Sequence, residues 1–239
     1  MIRKNWSWLK SSLFFICLLA GLNGMANING DGKVIKEERS LTGFKAISVH
    51  NSIHLFIKQG TTEKVTVEAE EDILHHLYTE VTAGVLKIGV KGSVNNTGEM
   101  NVYVTLKEIN SLETGSAAKA ECDGKIETHE LRISTGSASS VKMDLKCDKL
   151  EIRSGSASKI RISGTAQFIS TESSSASSVD LSELKAEKGE IEASSAASVK
   201  VQVTREVDAK ASSGAGITIT GNPASRNSDS SSGGSVKFR

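Results

Sequence analysis

Aromatic residues make up 4% of this 239-residue chain, and both tryptophans, Trp6 and Trp8, fall in its first ten positions. Sugar-processing clefts commonly stack rings on aromatic walls, so the shortage counts against one. Proline occurs once, as Pro223, and cysteine three times. Hydrophobic residues reach only 38%, too few for a thick spherical core but enough for a narrow column of stacked repeats. The formal net charge is +1 with both signs interspersed, so nothing in composition asks for nucleic acid or an anionic membrane.

A long apolar run is also missing. Arg3, Lys4 and Lys10 precede a short one from Leu13 to Leu19, and Gly24 and Ala26 occupy small-residue positions that a signal peptidase reads. Residues 1–26 are therefore expected to be a signal peptide, an uncleaved anchor being the alternative, and the run is short of a full membrane span. Cys17 belongs to the signal, because Phe15 and Ile16 before it do not make a lipobox. Loss of Arg3, Lys4 and Lys10 takes the net charge from +1 to −2. The protein is expected to be exported, to the periplasm, the outer-membrane surface or beyond, without a membrane span after cleavage.

What the chain has in abundance is one phrase, repeated. TGSAAKAEC from Thr114, TGSASSVKM from Thr135, SGSASKIRI from Ser154 and SSSASSVDL from Ser173 lead into SSAASVKVQV from Ser194, SSGAGITIT from Ser212 and SSGGSVKF from Ser231. Aligned on Ala117, Ala138, Ala157, Ala176, Ala196, Ala215 and Gly234, the spacings are 21, 19, 19, 20, 19 and 19, with a one-residue slip in the last two repeats. Such a period marks a solenoid, whose repeats bury their apolar faces only by stacking. After each turn come two apolar columns, Val141, Ile160 and Val179 in the first and Met143, Ile162 and Leu181 in the second. Residues two apart on a strand face the same side, so both columns point inward, and Lys142, Arg161 and Asp180 between them face solvent. No repeat holds enough residues of helical period for a helical array. The expected fold is all-β, a parallel β-helix with coils of about 19–21 residues. Earlier strands in each coil, such as Leu131–Ile133 and Leu150–Ile152, and a third segment near Ala166–Ile169 complete the circuit.

Residues 27–39 lack period and read as a flexible lead-in; 40–239 are expected to form one domain with regular coils from about 110. Within it, Phe44–Val49, Ile53–Gln59, Val65–Ala69, Val85–Val90 and Met100–Leu106 alternate as strands. Glu70–Leu77 is expected to be a short helical segment covering an end of the sheet.

Candidate chemistry is sparse. Asp123 and Asp144 occupy the same coil position and are expected to neighbour each other, a pair that calcium or acid–base chemistry could use. The next coil has Ser163 there, without flanking cations, so corner residues in solvent are the simpler reading. His50, His54, His75, His76 and His129 show no metal-ligand spacing, and no serine has a partnered base, so catalytic, cofactor and metal residues are none. Ser139, Ser158 and Ser177 fall two before the first apolar column and can point inward as a hydroxyl ladder. Cys122 and Cys147 are expected to be free thiols rather than a disulfide, because the repeat does not stack them.

Taken together, Gly43-Phe44 through Gln59-Gly60, the VTVEAEEDIL run from Val65, Val85-Leu86-Lys87-Ile88 and the SLETGSA, LRISTGSAS and LEIRSGSAS phrases resemble the head GIN domain of auto-transporter adhesins, exported proteins common in Bacteroidetes. The resemblance covers nearly all of the chain after residue 26 and implies a right-handed β-helix and an adhesive role. A translocator barrel is not expected, since the last coil runs up to Arg239. The expected function is a non-enzymatic binding or adhesion surface of the cell envelope, with a glycan or protein partner and a homo-oligomer as a further option. The alternatives are a pectate-lyase-like polysaccharide enzyme and a structural envelope protein.

Overall fold

The structure is a computed structural model that describes residues 28–29, 32–92, 94–95 and 98–239. The expected signal peptide, residues 1–26, lies outside the described residues. The chain forms a β-solenoid of about seven turns with essentially no helix. Its long strands β11 (Lys119–Thr135), β12 (Ser140–Ser154), β13 (Lys159–Ser173), β14 (Ser178–Ala193) and β15 (Ser198–Ala211) bend around corners and pair in parallel, each with the next. Each contributes in turn to three faces. On the first face, Val141, Ile160 and Val179 stack in register. The second holds Leu145 and Ala166, and the third Leu150, Ile152 and Ile169. The inward residues of all three meet in one apolar column.

Corners are made by the serine-rich phrase. In each, two consecutive residues take left-handed backbone: Ser116 and Ala117, Ser137 and Ala138, Ser156 and Ala157, and so on to Ser232 and Gly233. The residue after them donates back across the turn, Ser158 N to Gly155 O at 3.1 Å. The second residue of the turn donates to the next coil, Ala157 N to Ser175 O at 3.0 Å, so the turns form a ladder of their own. Left-handed backbone costs a side-chain-bearing residue about 1–2 kcal/mol, and Ser and Ala crowd the bend least. These geometries correct the sequence alignment. In the last two coils the left-handed pairs are Ser213-Gly214 and Ser232-Gly233, so Ala215 matches buried Ala197 rather than Ala196 and no slip exists. Differences in coil length are taken up instead mainly between the first and second faces, where the register shifts at Glu121/Lys125, Arg161/Ser163 and Leu181/Lys185, and once between the second and third, at Ala186/Lys188.

The first third is woven into the solenoid out of sequence order. β3 (Ala46–Val49) lies between β7 (Val85–Val90) and β10 (Ser111–Thr114), and β4 (His54–Gln59) lies between β9 (Asn101–Leu106) and β11. The Asn51-Ser52 turn joining β3 to β4 has the same left-handed pair as the repeats. Antiparallel strands close this end: β5 (Lys64–Glu70) on β9, β2 (Val34–Arg39) on β5, and β6 (Leu77–Thr82) on β7. The lead-in expected to be flexible therefore contains a six-residue strand, held because β5 would otherwise leave an open ladder. Two short strands, β1 (Ile28–Asn29) and β8 (Val94–Asn95), pair with each other. The helical segment shrinks to one turn, α1 (Glu71–Leu74), whose Ile73 and Leu74 are buried. Beside it the Glu70 carboxylate accepts from the Gly32 and Gly98 amides at 2.8 and 2.6 Å, pinning two loops.

At the far end, β16 (Gly216–Thr220) and β18 (Ser235–Phe238) continue the first face and β17 (Ser225–Ser230) the third. Arg226 occupies the column of Val207, where a core residue would stand. Its guanidinium lies over the Phe238 ring, 5.1 Å from the centroid, and donates to the Pro223 carbonyl at 2.9 Å. A charge in the last inward column discourages further strand addition.

Candidate functional site

Strand alternation puts one set of side chains on the solvent side of the first face. On β4 these are His54, Phe56 and Lys58; on β9, Asn101, Tyr103 and Thr105. Because Phe56 and Tyr103 are register partners, their rings stack with centroids 5.0 Å apart and planes 12° from parallel. Lys36 from β2 covers the other side of Tyr103, 5.3 Å from its centroid. The Tyr103 hydroxyl donates to Glu68 at 2.7 Å. That bond, then burial, pushes the phenol up to about 12, and it draws the Glu68 carboxyl down. Since the rings cover each other, they offer edges rather than faces to a ligand. The stack braces the sheet; beside it lies a hollow of about 410 Å³ walled by Lys58, Cys122 and Asp123.

The aspartates read as neighbours are not neighbours. The coil holding Cys122, Asp123 and Gly124 bulges, so Lys125 rather than Asp123 stands opposite Asp144. Asp123 pairs with Lys58 at 3.0 Å, and Asp144 with Lys125 at 3.8 Å. Two extra residues at a corner moved one carboxylate out of the column, and Gly124, with φ 90°, makes the bend. Both cysteines are free. Cys122 accepts from the Asp144 amide at 3.0 Å, and Cys147 is buried in the second face. Burial raises both thiols, that of Cys147 to about 12.

The histidines scatter. His50 contacts the Ser48 hydroxyl at 3.1 Å and His54 approaches Glu121 at 3.5 Å. His129 stands fully exposed at the corner of the second and third faces, where it meets Asp148 at 2.9 Å, and Asp148 accepts from Gln167 at 2.7 Å. They border a furrow of about 800 Å³, which is lined by ion pairs such as Lys146–Glu127 at 3.2 Å. Among the described residues no group of three metal-ligating side chains converges. The inward serines do form the expected ladder: Ser139 shares a hydrogen bond with Thr114 at 2.9 Å, Ser158 with Thr135 at 2.9 Å, and Ser154 donates to Ser177 at 3.1 Å. It is structural, since all of these side chains are buried.

The Phe56–Tyr103 stack was invisible in the sequence, because the two residues meet only when β4 is inserted beside β9. The first face thus presents a rigid lattice of charges and hydroxyls suited to non-covalent contact.

The fold has solved counterparts. A Bacteroides fragilis protein described as "a putative adhesin" superposes with a TM-score of 0.85 at 18% identity, over 89% of this chain and 100% of that one. A Parabacteroides distasonis protein described as a "Putative lipid binding protein" gives 0.73 at 19% identity, over 89% and 99%. A Parabacteroides merdae protein described as "a putative adhesin" gives 0.72 at 17%, again over 89% and 99%. These likenesses establish the fold. No curated protein sequence matches the chain. Residues 43–223, from just before β3 to just after β16, match the family described as "Putative auto-transporter adhesin, head GIN domain", and the chain belongs to that family.

Proposed function

We propose that this protein is an exported, non-enzymatic β-solenoid that serves as an adhesion surface of the cell envelope, binding a glycan or protein outside the cell. The observation that carries this reading is the match to the adhesin head family, which runs over residues 43–223, most of the solenoid, rather than over a local motif. The first face supports it: a run of parallel strands from β9 to β18 whose outward side chains are mostly polar and whose Phe56–Tyr103 stack is tied into the sheet. The polysaccharide-enzyme alternative loses its support, because Asp123 and Asp144 each hold a separate lysine instead of facing one another.

The test is a binding screen of the purified protein against arrayed glycans and extracellular-matrix proteins. At least one saturable interaction, competed by soluble protein, is expected. Uniform absence of binding across both arrays would overturn the adhesion reading.

A further inference from the structure

Composition shows no charge bias, but the fold sorts the charges. From β11 to β18 the outward positions of the first face carry Lys119, Lys142, Lys159, Arg161, Lys200 and Lys237 against Glu121 and Asp180, while Asp123 and Asp144, at the corner where this face ends, are paired with Lys58 and Lys125. Glu121 and Asp180 are engaged as well. Glu121 binds Lys119 at 2.8 Å, and Asp180 binds Arg161 at 3.4 Å and the Ser182 hydroxyl at 2.5 Å. Among the described residues, Lys142, Lys159, Lys200 and Lys237 form no salt bridge. All four are exposed.

We infer that this face binds a linear, carboxylate-bearing polysaccharide laid along the solenoid axis; this deepens the adhesion reading and rests on it. Successive coils are about 4.8 Å apart, and a polyanion laid along the axis meets Lys142 and Arg161 on neighbouring coils and then Lys200 and Lys237, with Asp180 and Thr218 between them. Between them stand half-buried Ser140 and exposed Ser178, which border a furrow of about 390 Å³, and exposed Ser198, whose hydroxyls can hydrogen-bond sugar hydroxyls. A membrane surface fits less well, because Val34 is the one large apolar side chain that stands exposed among the described residues, and it lies on another strand. Single-stranded nucleic acid would want rings interleaved with the lysines, and from Lys119 to Lys200 this face has none. The third face of a second copy is a poor occupant too. Its carboxylates are largely taken, Glu151 by Arg132 at 3.2 Å, Glu172 by Arg153 at 3.5 Å and Glu192 by Lys210 at 3.1 Å.

Affinity electrophoresis or calorimetry of the whole protein against polygalacturonate tests this, with neutral dextran and polyphosphate as controls. The protein is expected to bind polygalacturonate, to ignore dextran, and to release the chain as salt is raised. The triple variant Lys142→Glu, Lys159→Glu, Lys200→Glu should bind at least about tenfold more weakly. A second-face variant of equal charge change, Lys107→Glu, Lys146→Glu, Lys185→Glu, should keep most of the affinity. Equal losses in both variants, absence of binding, or equal binding of polyphosphate would overturn the inference. So would self-association in light scattering that the first-face variant alone abolishes. If the glycan screen gives ligands that the triple variant still binds, this assignment fails while the adhesion reading stands.

Discussion

The side-chain amide of Gln59 exchanges two hydrogen bonds with the backbone of Glu127, donating to its carbonyl and accepting from its N–H, both at 2.8 Å. It also donates to the Lys107 carbonyl at 3.0 Å. The chain after β4 leaves the solenoid to form β5, so this coil has no second-face strand, and the Gln59 amide stands where that strand's peptide group would. The side chain completes a backbone ladder across the gap.

Gln59→Glu removes the donor while pointing a carboxylate at two carbonyl oxygens. It should destabilise the fold by about 2 kcal/mol, and Gln59→Met by about half as much, since an apolar side chain leaves backbone groups unpaired without adding repulsion. Thermal unfolding followed by circular dichroism reads the difference; equal melting temperatures for wild type and both variants would refute the role.

The left-handed corners make an opposite prediction. Ala157 has φ 58° and its Cβ contributes nothing to the core, so Ala157→Gly should stabilise the protein by up to about 1 kcal/mol. Ala157→Val should cost more than that gain, because a β-branched side chain is a genuine outlier there. Chemical denaturation midpoints distinguish the two.

Thr171 sits in the third-face core column between Ile152 and Ile191, 1% exposed, and its hydroxyl has no hydrogen-bond partner among the described residues. Thr171→Val keeps the shape and removes the unpaired group, so a gain of about 1 kcal/mol is expected. Ser158→Val should do the reverse, since that hydroxyl is bonded to Thr135 and its loss strands a buried partner. The two variants moving the denaturation midpoint in the same direction would contradict this account of the hydroxyl stripe.

His54 and His129 should titrate on opposite sides of 6.5. Burial, then the charge of Lys119, lowers His54; the hydrogen bond and charge of Asp148 raise His129. With its folded value depressed, His54 favours folding above the unfolded value, and that support is lost as pH falls through 6.5 and the lowered folded value. His129 works in reverse: its support is full below the unfolded value and lost as pH rises through the raised one. Imidazole proton shifts across pH 4 to 9 would check the order, and Asp148→Asn should remove most of the upward displacement of His129.

The repeat by itself determined much of this protein. Residues two apart on a strand must share a side, so the alternation in SVKM, KIRI and SVDL sufficed to place Val141, Ile160 and Val179 in one core column, and Ser139, Ser158 and Ser177 in a buried ladder beside it. Adhesin-family phrases were legible for the same reason, since stacked coils write their geometry at a fixed period. Tertiary structure decided whatever broke that period. A two-residue bulge at Asp123-Gly124 separated Asp123 from Asp144; insertion of β3 and β4 between later strands created the Phe56–Tyr103 stack and the Gln59 bridge; and the winding of the chain gathered lysines that are scattered in sequence onto one face. Periodicity constrains neighbours within a coil, whereas pairing between distant strands depends on which edge is left open, and that is settled only when the chain has closed on itself.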